Sequence, residues 1–314
     1  MRRVSRPVVL LSATALCAVT ACSSSDGTSA SSPPAPTTAA STSRPPVATS
    51  SSASSSATTS ATTSAPATTR PSTRTATAAP TTRTRAPAPP QPAPRGSVVV
   101  LNPGHNGGNA SHTGYIDQQV PAGYGERKAC DTTGTSTNAG YAEHAFTWDV
   151  SLRTRRILQA AGVTVVMTRP NDIGVGPCVN ERAAVGNRTN VAAVVSIHAD
   201  GAPASGHGFH VNQDSRRPDG ASRRVAQESV ALGRAVHKTL VAGSGLTPSN
   251  YIGDDGYYFR SDLAGLNLAR RPTTFLELGN MRNADDAALL SSKSGRARIA
   301  SAVAAGILAF LRQR

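Results

Sequence analysis

Between Ser23 and about Arg95 the chain is built almost entirely from Ser, Thr, Ala and Pro, with scattered Arg and one acid, Asp26. Such a run lacks the apolar surface needed to offset the entropy of ordering it. It therefore predicts a disordered, partly polyproline-extended tether over residues 23–96. Its physical content is reach, about 3 Å per residue where Pro keeps it extended. Whatever needs a packed core must come from residues 97–314, long enough to bury one without staples.

Ahead of the tether, "MRRVSRPVVLLSATALCAVTAC" sets Arg2, Arg3 and Arg6 before an apolar run too short for a good membrane span, then small residues before a cysteine. This is the pattern of an export signal over residues 1–22 and not part of a fold. Val19-Thr20-Ala21-Cys22 resembles a bacterial lipobox, which would make Cys22 the lipid-modified first residue of the mature protein. A plain secretory signal cut near Ala21 is the alternative. Both place the chain outside the plasma membrane, on its outer face or in the cell-wall space.

The formal net charge is +14, but residues 1–96 hold nine Arg against one acid, so over half of the excess precedes the foldable part. The remaining charge is scattered in sequence, which argues against nucleic acid. A polyanionic cell wall or an anionic membrane surface is the more natural partner for an exported basic chain.

From Ser97 onward strand-like runs at Val98 to Leu101, Val163 to Thr168, Ala192 to Ile197, Gly208 to Val211 and Thr273 to Leu278 alternate with helical periodicity. Phe146, Val150, Thr154, Ile157 and Ala161 share one stripe; Val225, Ser229, Leu232, Val236 and Leu240 share another. Ile299, Val303, Ile307 and Phe310 give a closing amphipathic helix. Strands alternating with helices predict a single α/β domain, with a mostly parallel twisted sheet and helices on both faces. Two cysteines fall in this part, Cys130 and Cys178. In an oxidising compartment an even pair reads as a disulfide, with a free thiol pair as the alternative. The bridge would pin the long excursion 106–140, which reads as a loop without elements of its own, to the turn before "VNERAAV".

Sites in open parallel sheets gather at the carboxyl ends of strands. The first strand ends in "NPGH" with His105, the third in "VVSIHAD" with His198, and the last carries Glu277 in "TTFLELGN". Glu143 in "AGYAEHAF" stands where a loop becomes a helix. Two imidazoles and one carboxylate would satisfy a catalytic zinc and leave its fourth position open, with the second carboxylate free to move protons. Zinc lowers the pKa of a water it binds to about 7 and polarises a carbonyl, which is what amide hydrolysis at neutral pH needs. Taken singly, each residue has a plainer explanation. A loop histidine is commonly just exposed, and Glu143 suits the helix dipole. Glu277 in an apolar run is harder to explain away, because an ionised carboxylate there is costly unless paired. His112, His144, His207, His210 and His237 read as bystanders, although His207 and His210 bracket a strand-like turn and could line a groove; Arg182 and Asp200 read as structural or as supports of the ligands and not as catalytic. HExxH, GxSxG and P-loop motifs are absent.

"VVVLNPGHNGG", the helix-opening Glu143, "VSIHADG" and "TFLELGNMRNADDAALL" together resemble the successive motifs of zinc-dependent N-acetylmuramoyl-L-alanine amidases of the Amidase_3 (AmiC-like) family. The likeness spans residues 97–314 and is strongest to short mycobacterial-type members. It implies that His105, Glu143 and His198 ligate one Zn2+ and that Glu277 is the catalytic carboxylate. The implied reaction cuts the amide between N-acetylmuramic acid and the L-alanine of the stem peptide in peptidoglycan. Asn102 departs from the aspartate of many members, which touches loop packing and not a ligand. The interval from His198 to Glu277 is too short for a long autoinhibitory helix, so an open or loop-gated site is expected; nothing in the sequence demands more than a monomer. A zinc peptidase acting on the stem peptide and a non-catalytic wall-binding lipoprotein are the rival readings.

Overall fold

The computed structural model describes Pro94 and residues 96–314. The signal with Cys22, and all but two residues of the 23–96 tether, lie outside the described residues. β1 (Val98–Pro103) leads through a short helix α1 (Thr113–Ile116) and a hairpin of β2 (Gln119–Gly123) and β3 (Glu126–Ala129) into α2 (Glu143–Ala160). Next come β4 (Thr164–Met167), α3 (Val179–Gly186), β5 (Val191–Asp200), β6 (Phe209–Asp214) and α4 (Arg223–Gly243). The chain closes with β7 (Tyr257–Arg260), α5 (Ala264–Asn267), β8 (Thr273–Asn280), α6 (Ala284–Ser291) and α7 (Lys293–Arg312).

Six strands form one sheet in the order β4-β1-β5-β8-β6-β7. β4, β1, β5 and β8 are mutually parallel, as expected, whereas β6 runs antiparallel to β8 and parallel to β7. The reversal is not visible in the sequence because side-chain alternation carries no strand direction. β5 and β8 are central and covered on both faces, which is why "VAAVVSIHAD" and "TTFLELGN" are nearly continuous apolar runs.

Successive residues of these strands face opposite layers. Leu101, Val195, Ile197, Leu276 and Leu278 share the main core with Phe146 and Val150 of α2, Leu232 and Val236 of α4, and Ile299 and Val303 of α7. α7 is long and apolar enough to cross a membrane by length and composition, yet its stripe belongs to this core. The opposite face carries the smaller cluster Val98, Val100, Val191 and Val194 and is covered by α3 and α5. Helices thus lie on both faces, unequally. The thinly covered face is the one that opens into a cleft.

The excursion 106–140 is not an element-free loop: it holds α1 and the β2–β3 hairpin. Tyr124 and Gly125 make the hairpin turn with φ of 56° and 79°, the two positive values that a two-residue turn of this hand demands. A tyrosine at a position that favours Asn or Gly hides the turn from sequence. Its hydroxyl donates to Asp214 Oδ2 at 2.6 Å, which fixes it there. The Cys130–Cys178 disulfide is present, with Cα atoms 4.3 Å apart, and joins the end of the hairpin to the start of α3.

Candidate metal centre

His105, Glu143 and His198 come together at the carboxyl end of the parallel strands, one ligand atom from each lying within 4.8 Å of the others. His105 leaves β1 in the left-handed region, φ 57°, a conformation that non-glycine residues hold only where surroundings enforce it. The enforcing group is Arg182. Its buried guanidinium donates to the carbonyls of Pro103, His105 and Gly176 and to Asp131 Oδ2. The same guanidinium donates to Asn102 Oδ1, while Asn102 Nδ2 donates to Ser196 Oγ. Asn102 thus stitches strand ends together.

His105 Nδ1 lies 3.0 Å from the Thr132 carbonyl. A carbonyl only accepts, so Nδ1 carries the hydrogen and Nε2 is turned inward, 3.1 Å from Glu143 Oε2. Glu143 opens α2, and its other oxygen lies 3.0 Å from His198 Nδ1 and accepts from the Ala199 N–H at 3.2 Å. Thr135 N–H donates to Oε2 at 3.0 Å. Backbone donors therefore hold the carboxylate between the two rings.

The His198 ring is sandwiched. Phe275 stacks on it with centroids 4.2 Å apart and planes 16° apart. On its other side lies Gly104, where a Cβ would fall 2.2 Å from His198 Cε1. No side chain fits between β1 and this imidazole. Gly104→Ala should displace the His198 ring and weaken zinc binding by at least the roughly 10–100-fold typical of losing a ligand's supporting contacts. Zinc affinity measured by competition with a chelating dye checks this, and an unchanged affinity would contradict the geometry.

Glu277 stands beside His198, its register partner across β5 and β8. Oε2 is buried with no hydrogen-bond partner. Burial, and then the charges of Glu143 and Asp200, push the carboxyl well above the ordinary carboxylate range. At His105 burial opposes the charge, but Glu143 and Asp131 outweigh it and raise the imidazole to about 10. The same imidazoles hold Glu143 well below its usual range despite burial. The space between His105 Nε2 and Glu143 Oε2 thus favours positive charge, and a cation there would satisfy both. The donor set of two nitrogens and one oxygen suits zinc, and a cation there would also relieve the isolated Glu277 carboxylate. All four groups line one open cleft of about 340 Å³, with Lys128 and Arg260 farther along it.

The N-acetylmuramoyl-L-alanine amidase family profile matches residues 99–309. The chain belongs to this amidase family. An N-acetylmuramoyl-L-alanine amidase of Mycobacterium tuberculosis is 50% identical over 216 residues, which cover 69% of this chain and 87% of that protein. The crystal structure of the N-acetylmuramyl-L-alanine amidase Ami1 from Mycobacterium smegmatis shares 46% identity at a TM-score of 0.65, covering 70% of this chain and 99% of that one. The apo form of Ami1 from Mycobacterium abscessus shares 49% identity at the same TM-score of 0.65, covering 69% and 99%.

Within this amidase fold the structure also separates site residues from bystanders. His144 turns away from Glu143 and pairs with Asp172 at 2.9 Å, as neighbours on a helix must. His237 donates to or accepts from nothing in the cleft; its Nε2 meets the Asp255 carbonyl at 2.7 Å. His210 is the register partner of Glu277 on β6 but is itself buried and does not line the cleft. His207, exposed to about half-buried, lies with Thr247 outside it. Sequence reasoning missed Asp131, Thr132 and Phe275. Each acts on a histidine far from it in the chain, and only the bridged cysteine next to Asp131 hinted at the place.

Proposed function

We propose that residues 97–314 are the catalytic domain of a zinc-dependent peptidoglycan hydrolase. It cleaves the amide between the lactyl group of N-acetylmuramic acid and the L-alanine of the stem peptide. The observation that carries this reading is the convergence of His105, Glu143 and His198 within 4.8 Å beside the unpartnered Oε2 of Glu277. Family membership supplies the bond, and the open cleft supplies access for a polymer.

His105, Glu143 and His198 would hold the zinc ion. When bound, zinc supplies a Lewis acid for the lactyl carbonyl and lowers the pKa of water to about 7. Thr132 and Asp131 would fix the His105 tautomer, and Phe275 and Gly104 the orientation of the His198 ring, for holding the ion. Glu277 Oε2 takes the proton of the attacking water and returns it to the leaving nitrogen of L-alanine. Burial and the neighbouring carboxylates raise its affinity for a proton above that of an ordinary carboxylate, the direction that a base later acting as an acid requires. One chain supplies all four groups, so the working unit is a monomer. The export signal places it outside the membrane, held there through Cys22 when that residue is acylated.

Digestion of purified cell wall should liberate new N-terminal alanine in step with loss of peptide from the glycan. New reducing sugar ends as the main product, or new termini other than alanine, would overturn the choice of bond.

A further inference from the structure

The arginines that look scattered in sequence are gathered by the fold at one edge. β5 and β8 begin at this edge, preceded by Arg188 and by Arg270 and Arg271, and the antiparallel β6 ends there, followed by Arg216 and Arg217. α4 opens from the same side with Arg223. Contacts confirm the grouping: Arg271 Nε donates to the Arg188 carbonyl at 3.1 Å, and a Cβ on Gly220 would lie 3.5 Å from the Arg270 guanidinium. Five of the six are exposed, Arg271 is half-buried, and none of them makes an ion pair among the described residues. Of the nearby acids, Glu228 pairs with Arg224 and Arg314, Asp214 accepts the Tyr124 hydroxyl and Asp219 accepts the Tyr124 N–H.

Six guanidinium groups against the two carboxylates of Asp214 and Asp219 leave this edge with an excess of positive charge that a polyanion would offset. β1 also starts at this edge. The zinc site lies at the other end of the strands. From Val191 to His198 the distance along β5 is about 23 Å at roughly 3.3 Å per residue.

We propose that this edge docks on the anionic surface of a phospholipid membrane, with the zinc-ligand end of the strands pointing away from it. A flat anionic surface suits a row of loop arginines at strand ends better than a single chain does, and the cleft runs from the three ligands down to Arg260 near this edge. The inference goes beyond the catalytic reading and does not depend on it.

Residues 97–314 contain the whole core and correspond to 99% of the crystallised Mycobacterium smegmatis chain, so they can be tested alone, free of the basic tether. The probe is sedimentation with vesicles of phosphatidylglycerol and phosphatidylcholine in a roughly 3:7 ratio at about 0.15 M salt. Each arginine near such a surface contributes roughly fivefold in affinity, so Arg188→Glu/Arg270→Glu/Arg271→Glu should weaken binding at least ~100-fold. A control with the same change of charge on exposed helix residues, Arg156→Glu/Arg234→Glu/Lys238→Glu, should lose less than ~10-fold. Equal losses in both variants would overturn the proposal, as would equal binding to pure phosphatidylcholine. Loss of binding to soluble poly(glycerol phosphate) with vesicle binding retained would assign the edge to a wall polymer instead, and the membrane proposal would fall. Thermal melting by circular dichroism checks the fold. Should the charge reversals unfold it, the same three positions changed to Gln provide the test, with an expected loss of at least ~30-fold.

Discussion

Glu277→Gln should fold, bind zinc with native stoichiometry, and turn over about 10²–10⁴-fold more slowly, the usual contribution of a positioned acid–base group. The substitution keeps the side chain's size and polarity but removes its capacity to take a proton. Oε2 accepts no hydrogen bond in the native fold, so the change breaks none of the contacts that hold the structure together. Glu277 lies outside the three-residue donor set, so metal content stays. The measurements are kcat on a soluble muropeptide, zinc by elemental analysis and secondary structure by circular dichroism. A kcat close to native would remove Glu277 from the proton-transfer role.

The second large effect falls on the metal. His105→Ala and His198→Ala should each lose zinc, and with it essentially all turnover, because removal of a donor costs more than the roughly 10–100-fold seen when a donor's hydrogen-bond partner is removed. The two variants should differ in stability. His105 is tied to Thr132 and Asp131 through its ring, whereas His198 supports the packing of Phe275. Full zinc occupancy in either variant would exclude that histidine from the ligand set. Together with Glu277→Gln, these variants separate metal holding from proton transfer: one class loses zinc and activity, the other activity alone.

Much of this site is legible in the sequence because a parallel sheet imposes it. His105, His198 and Glu277 each end or nearly end a buried strand, and parallel strands deliver their carboxyl ends to one edge. Glu143 is less legible. A first-turn glutamate suits any helix, so its place at a loop-to-helix junction and its resemblance to a family motif mark it only weakly, until its two oxygens are seen facing both imidazoles. The disulfide is legible from compartment and count, but not what it secures: the turn at Asp131 and Thr132 that orients His105. The reversed strand β6, the edge strand β7 and the hairpin turn at Tyr124 are hidden because short alternating runs carry neither direction nor partner. The arginine edge is hidden for a related reason. Its members come from three separate connections, and only strand order brings them together.

The most direct test of the central claim is mass spectrometry of peptidoglycan digested by the native chain, with and without a zinc chelator. The account predicts glycan freed of peptide and intact stem peptides beginning with L-alanine, both abolished by the chelator and restored by added zinc. Peptides cut within the stem, or the same products at an undiminished rate under chelation, would contradict it.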